Sequence, residues 1–152
     1  MSMLPKNFRT LVDTKEKYLQ TTNRKITQAG LESCSARLLP INTVLFSSRA
    51  TIGDISITQI ETATNQGYKN FVCNPEQIHY EFLYYILKYE TPNILLLASG
   101  MTYPEINKSK ISDFRIPIPP LDVQEEIVNE ILNLDTETTE KIAEILERHL
   151  TK

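Results

Sequence analysis

The sequence predicts a mixed α+β chain: a small sheet-based domain with packed helices over residues 1–120, then a long C-terminal helix over 121–152 that pairs with another helix. Three observations predict it. Thr43-Val44-Leu45-Phe46 is an apolar run rich in β-branched and aromatic residues, and Ile52, Ile55 and Ile57 resume the alternation beyond Ser47-Ser48-Arg49. Ile78, Phe82, Tyr85, Ile86 and Tyr89 recur at helical spacing between Pro75 and Pro92. Val123, Ile127, Ile131, Leu134, Thr138, Ile142, Ile145 and His149 trace one face at steps of three and four.

In order, residues 1–13 carry no pattern and are expected to be loosely held. Asn23 to Leu31 reads as an exposed loop entering a short helical turn at Gly30, with Arg24 and Lys25 available to face phosphate. Ile41-Asn42 is a turn into the strand at Thr43, and Ile55 to Ile60 is the next strand. Asn65-Gln66-Gly67 is a turn into a strand that starts with Tyr68, Phe71 and Val72. A side-chain amide in such a turn usually caps its own backbone; alternatively it pairs with an adenine edge.

The helix is expected over Glu76 to Glu90, its tyrosines serving core and rim, and Ile94 to Ala98 is a second short helical piece. Ser99 to Pro104 is a tight polar loop and Ser109 to Phe114 a turn. Phe114, Ile116 and Ile118 alternate as a closing strand, which Pro117 and Pro119 confine to a sheet edge. Asp122 is an N-cap candidate with Glu125 three residues on, a capping-box pattern that opens the last helix. A projecting helix would bury its stripe on another helix. The competing arrangement is a terminal helix folded back on its own body.

The net charge of −3 conceals an uneven distribution. Residues 121–152 hold three basic residues against nine carboxylates, and residues 1–120 hold thirteen basic against ten acidic. The body is therefore mildly basic, enough for phosphate contacts but not for gripping a polyanion by charge alone. No apolar run approaches the roughly 20 residues of a membrane span, and no signal pattern opens the chain, so a cytoplasmic setting is expected. Cys34 and Cys73 are too isolated for a disulfide framework or a zinc site, and His79 and His149 form no triad or metal cluster. No Gly-rich phosphate loop occurs among four scattered glycines. Asn74-Pro75-Glu76-Gln77 shares only its first two residues with the amino-methyltransferase tetrad. A self-sufficient enzyme is not expected, and neither is a cofactor of its own.

Six motifs then fall in a telling order: Lys25-Ile26-Thr27 through Gly30-Leu31; Leu45-Phe46-Ser47-Ser48-Arg49-Ala50-Thr51-Ile52-Gly53; Ala63-Thr64-Asn65-Gln66-Gly67-Tyr68; Phe82-Leu83-Tyr84-Tyr85; Ala98-Ser99-Gly100-Met101-Thr102-Tyr103; and Ile116-Pro117-Ile118-Pro119-Pro120-Leu121 with Gln124. The series resembles the target-recognition domain of type I restriction–modification DNA specificity subunits, followed by the start of their conserved spacer helix. The chain departs from that pattern in lacking the Pro-Trp strand and Gly-Asp pair of its usual opening, having no Trp at all. It also carries one recognition domain where complete subunits carry two, as a half-length subunit that must pair or a fragment of a longer protein would.

The resemblance implies a non-catalytic module that reads one half of a bipartite double-stranded DNA target. It implies docking through the helix to a modification methyltransferase subunit, with a restriction subunit and a second recognition half as further partners. S-adenosylmethionine would belong to the methyltransferase. Arg49, Lys25 and Lys69 are the first candidates for phosphate or base-edge contacts, and Ser47, Ser48, Gln66, Thr102 and Tyr103 the second rank. Val123, Ile127, Ile131, Leu134, Ile142 and Ile145 would form the partner helix face. Two other readings stay open: the recognition part of a fused adenine methyltransferase, and a truncated decoy that occupies the modification subunit without reading DNA.

Overall fold

Val44, Leu45 and Phe46 are all fully buried, because the strand that carries them is covered on both faces. The computed structural model describes residues 5–10, 16–34, 36–100 and 102–151. That strand, β4 (Thr43–Ser47), lies in a four-stranded sheet of order β2-β5-β4-β7, with β2 (Tyr18–Leu19), β5 (Ile55–Thr58) and β7 (Tyr68–Val72). The pairs β4–β5 and β4–β7 are antiparallel, and β2–β5 is parallel. A second sheet of order β3-β1-β6 joins β1 (Lys6–Arg9), β3 (Arg24–Ile26) and β6 (Thr62–Thr64). Alternation assigns the faces. Val44, Phe46 and Ile57 point into the main core, while Leu45 joins Leu19, Leu39 and Tyr68 in a smaller cluster on the other side.

The main core is shared with α2 (Tyr80–Leu95), which lies between the sheet and a helical hairpin of α4 (Leu121–Leu132) and α5 (Thr139–Leu150). Glu81 through Leu87 are buried without interruption, as a helix enclosed on several sides requires. Tyr84 and Tyr85 lie in this core, as expected. Shorter helices are α1 (Gln28–Glu32), capped by Thr27, and α3 (Lys108–Asp113), capped by Asn107.

The single long C-terminal helix is corrected by the structure. The chain breaks between Leu132 and Thr139, Thr138 Oγ1 accepts the Lys141 N–H at 3.2 Å to start a new helix, and α5 folds back against α4 and α2. Ile127, Ile131, Ile142 and Ile145 are thus buried in this chain's own core, with Val123 and Leu134 packed at its margin. Between the C-terminal turns of α4 and α5, Glu130 receives both Arg148, at 2.5 Å, and the His149 ring, at 2.7 Å.

Other local expectations shift for identifiable reasons. α2 begins at Tyr80 because Asn74 holds 74–78 in a turn, its carbonyl accepting from Gln77 and Ile78, and extended His79 caps the helix through Nδ1. Pro92 falls inside the last turn, so Ile94 and Leu95 finish α2. Asp122 forms no capping box: Pro120 is the N-cap, and Asp122 Oδ1 accepts from Val123. Phe114 to Ile118 is extended but pairs with no strand among the described residues. Of the terminus expected to be loose, Lys6–Arg9 is the centre of a sheet, while residues 1–4 and 11–13 lie outside the described residues. Arg9 is 1% exposed there, its Nε donating to the Tyr68 hydroxyl at 3.1 Å.

Candidate nucleic-acid interface

β4 and β7 leave the ladder at Ser47 and Tyr68, and the chain just beyond them builds a polar edge. Ser48 fixes it from both sides: its N–H donates to Gly67 O at 2.8 Å and its carbonyl accepts from Ile106 at 2.9 Å. The loop 99–105 closes on itself through Ser99 and Glu105, which exchange two backbone bonds of 3.0 Å. Ala50 N–H reaches Pro104 O at 3.0 Å, so three sequence-distant segments meet. Two backbone positions make this geometry. Ala50 sits at φ 62° and Gly100 at φ 96°, both in the left-handed region.

The Arg49, Lys69 and Glu105 side chains meet on this edge, and Gln66, Thr102 and Tyr103 lie in the two loops that adjoin it. Arg49 Nη2 donates to Glu105 Oε1 at 2.9 Å, with both side chains about two-fifths exposed, at 42% and 41%. That hydrogen bond holds the Glu105 carboxyl below its usual range. A pair so open to solvent contributes little to stability and separates readily. Lys69 Nζ donates to Ser48 Oγ at 3.1 Å, and burial lowers the pKa of its ammonium, with Arg49 acting in the same direction and Glu105 opposing. Gln66 and Thr102 are exposed, and Tyr103 stands 75% exposed.

Of the residues singled out in the sequence, Arg49 and Lys69 stand on this edge, with Gln66, Thr102 and Tyr103 exposed in the adjoining loops. It removes Ser47 and Ser48 from the contact candidates, since both are 0% exposed. Ser47 Oγ donates to Thr51 O at 2.5 Å and accepts from Asp54 N at 2.8 Å, which makes it a turn residue. Asn65 likewise caps Gly67, at 2.9 Å. Lys25 lies in the other sheet, opposite and bonded to Asn7. Glu105 was missed, because the loop motif ends at Tyr103 and the pairing that makes Glu105 matter spans 56 residues.

Among the described residues, no group of three or more His, Cys, Asp or Glu side chains is placed to hold a metal ion, and no helix is long and apolar enough to cross a membrane.

Residues 5–148 match the type I restriction modification DNA specificity domain. The chain belongs to that family. This specificity domain is 33% identical over 135 residues to the type I restriction enzyme MjaIX specificity subunit of Methanocaldococcus jannaschii, covering 86% of the chain and 31% of that protein. It is 29% identical over 148 residues to the EcoR124I/EcoR124II specificity subunit of Escherichia coli, covering 93% and 34%. The chain thus spans about a third of the length of these relatives. Its fold is that of the S subunit of the type I restriction–modification system from M. genitalium, at TM-score 0.56 and 18% identity over 84% of this chain and 34% of that one. The HsdS subunit from Thermoanaerobacter tengcongensis superposes with TM-score 0.56 at 23% identity, covering 82% and 33%. The α+β specificity-domain assignment made from the six motifs holds.

Proposed function

We propose that this specificity domain is a non-catalytic DNA-recognition module that reads one half of a bipartite target. The edge formed by Arg49, Lys69, Gln66, Thr102 and Tyr103 is its reading surface. The observation that carries this is the placement of two cations, Arg49 and Lys69, on one backbone-braced edge that the loops of Gln66, Thr102 and Tyr103 adjoin, in a chain of this family. Arginine supplies a two-bond fork for guanine O6 and N7, and lysine a point charge for phosphate. A braced backbone keeps those groups aimed before the duplex arrives, which lowers the ordering cost of binding.

The module works beside a modification methyltransferase subunit, which holds S-adenosylmethionine, and with a restriction subunit and a second recognition half in the full assembly, in the cytoplasm. Because the inner faces of α4 and α5 are occupied by α2, the outward faces of that hairpin are the ones offered to partners.

The test is duplex binding by the complex of this chain with its modification subunit. Arg49→Ala is expected to weaken binding to the selected duplex roughly ten- to a hundredfold. Lys69→Ala is expected to weaken all duplexes alike and to reduce the salt slope by about one. Unchanged affinity and salt slope in both variants would refute this placement of the reading surface.

A further inference from the structure

Glu105 is an unexpected group for a surface that meets a polyanion, yet the backbone fixes it at the centre. Its N–H and carbonyl are bound to Ser99, its neighbour Ile106 is bound to Ser48, and its bridge partner across the edge is Arg49. Its carboxylate meets Arg49 through one oxygen and one guanidinium nitrogen, at 2.9 Å, so the contact is single rather than a closed fork. An ionised carboxylate only accepts hydrogen bonds. Phosphate and the keto and ring-nitrogen groups of the major groove offer it nothing, and phosphate repels it. The major-groove donors of duplex DNA are the amino groups of cytosine N4 and adenine N6.

We propose that Glu105 is a specificity-determining residue: its carboxylate selects an amino-bearing base in the major groove, adjacent to the guanine read by Arg49, and excludes phosphate from that position. The proposal rests on the DNA-facing reading of this edge. Before binding, the two side chains hold each other in position. On the correct site, Arg49 turns its fork to a guanine while Glu105 accepts from the neighbouring amino group, so neither is left with an unpaired charge. On the wrong site, Glu105 faces a carbonyl or a thymine methyl and the cost falls on a group with no other use there.

The chain in complex with its modification subunit is passed through selection from a randomised duplex library, with wild type, Glu105→Gln, Glu105→Ala and the swap Arg49→Glu/Glu105→Arg in parallel. Wild type is expected to enrich a motif. Glu105→Gln, which both donates and accepts, should lose at least about fivefold in discrimination at one base pair and shift it toward adenine. Glu105→Ala should lose that preference while binding random duplex more tightly. The swap keeps the ion pair, so thermal unfolding should match wild type while the motif is lost. Retention of the wild-type motif by all three variants would overturn the role of Glu105 alone. Restoration of the motif by the swap would reduce Glu105 to a structural counter-ion. Failure of wild type to enrich any motif would overturn the DNA-facing reading itself, and the inference with it.

Discussion

Gln124 locks α4 to the start of α2: its Oε1 accepts the His79 N–H at 2.8 Å, and its Nε2 donates to Gln77 O at 3.0 Å and to Pro119 O at 2.8 Å. The side chain is fully buried and all three bonds are internal. Gln124→Ala leaves one donor and two acceptors without a partner and opens a cavity, and is expected to cost about 2–4 kcal/mol in urea unfolding. Gln124→Glu keeps the acceptor but turns two attractive contacts into repulsive ones. It should therefore be at least as destabilising at neutral pH and recover partly in acid, where the protonated carboxyl can donate.

Lys17 performs the same service between β2 and α2. Its Nζ lies 2.8 Å from Glu81 Oε2 and 2.7 Å from the Tyr85 hydroxyl, and within 5.1 Å of the ring centres of Tyr18, Tyr84 and Tyr85. Burial and the neighbouring carboxylates raise all three phenols, Tyr84 to about 12. Lys17→Met takes the cation from the Glu81 carboxylate, whose side chain is only 9% exposed and which keeps the Tyr18 hydroxyl as a donor. The expected loss is about 2–4 kcal/mol, somewhat below that of a dry pair because Lys17 keeps some solvent. A Lys17→Met/Glu81→Gln double variant should recover part of it, and equal losses in the single and double variants would refute the coupling.

Backbone strain beside the Arg49–Glu105 edge has opposite signs at two positions. Ala50 holds φ 62° with a β-carbon, so Ala50→Gly is expected to stabilise by about 0.5–1 kcal/mol once the larger unfolded-state freedom of glycine is counted. At Gly100, φ is 96° and an added Cβ would stand 2.8 Å from the Tyr103 carbonyl oxygen. Gly100→Ala should cost about 1–3 kcal/mol. Thermal denaturation of the two variants reads both signs.

Acid sensitivity should be concentrated in part where the C-terminal turns of α4 and α5 meet. The hydrogen bond from Arg148, then that from His149, lowers the Glu130 carboxyl from its ordinary value. A lowered carboxyl contributes stability that is present above its unfolded-state value and is lost as pH falls through the folded one. Wild type minus Glu130→Gln in urea midpoint should therefore be positive at neutral pH and shrink between about pH 5 and pH 3. A difference independent of pH would mean that the Glu130 charge plays no part.

The strands β4 and β7 were legible because their side chains announce a covered sheet. Val44, Leu45, Phe46, Tyr68 and Phe71 leave little other choice. The hairpin was not legible as such, since Leu134, Thr138 and Ile142 continue a helical spacing straight through the break. Periodicity records which residues face inward and is silent on whether the axis reverses between them. Thr138 falls on the same stripe by spacing, yet it acts as an N-cap, a role fixed by Lys141 and the turn before it. At the polar edge, Arg49 and Lys69 could be picked by residue type. Glu105, Ser47 and Ser48 could not be sorted, because only the fold decides which hydroxyls point inward and which acid meets the arginine.

β7 ends its sheet, and its outer side faces a cavity of about 490 Å³ lined by Phe71, Val72, Ile116 and Ile118 among others, with Val72 60% exposed. An uncovered strand edge of that character is a template for intermolecular stacking. The segment on the far wall carries Pro117 and Pro119, neither of which has an N–H to extend a ladder. The two prolines thus act as gatekeepers, letting an apolar wall stand opposite a free strand without becoming the next strand of a growing fibril.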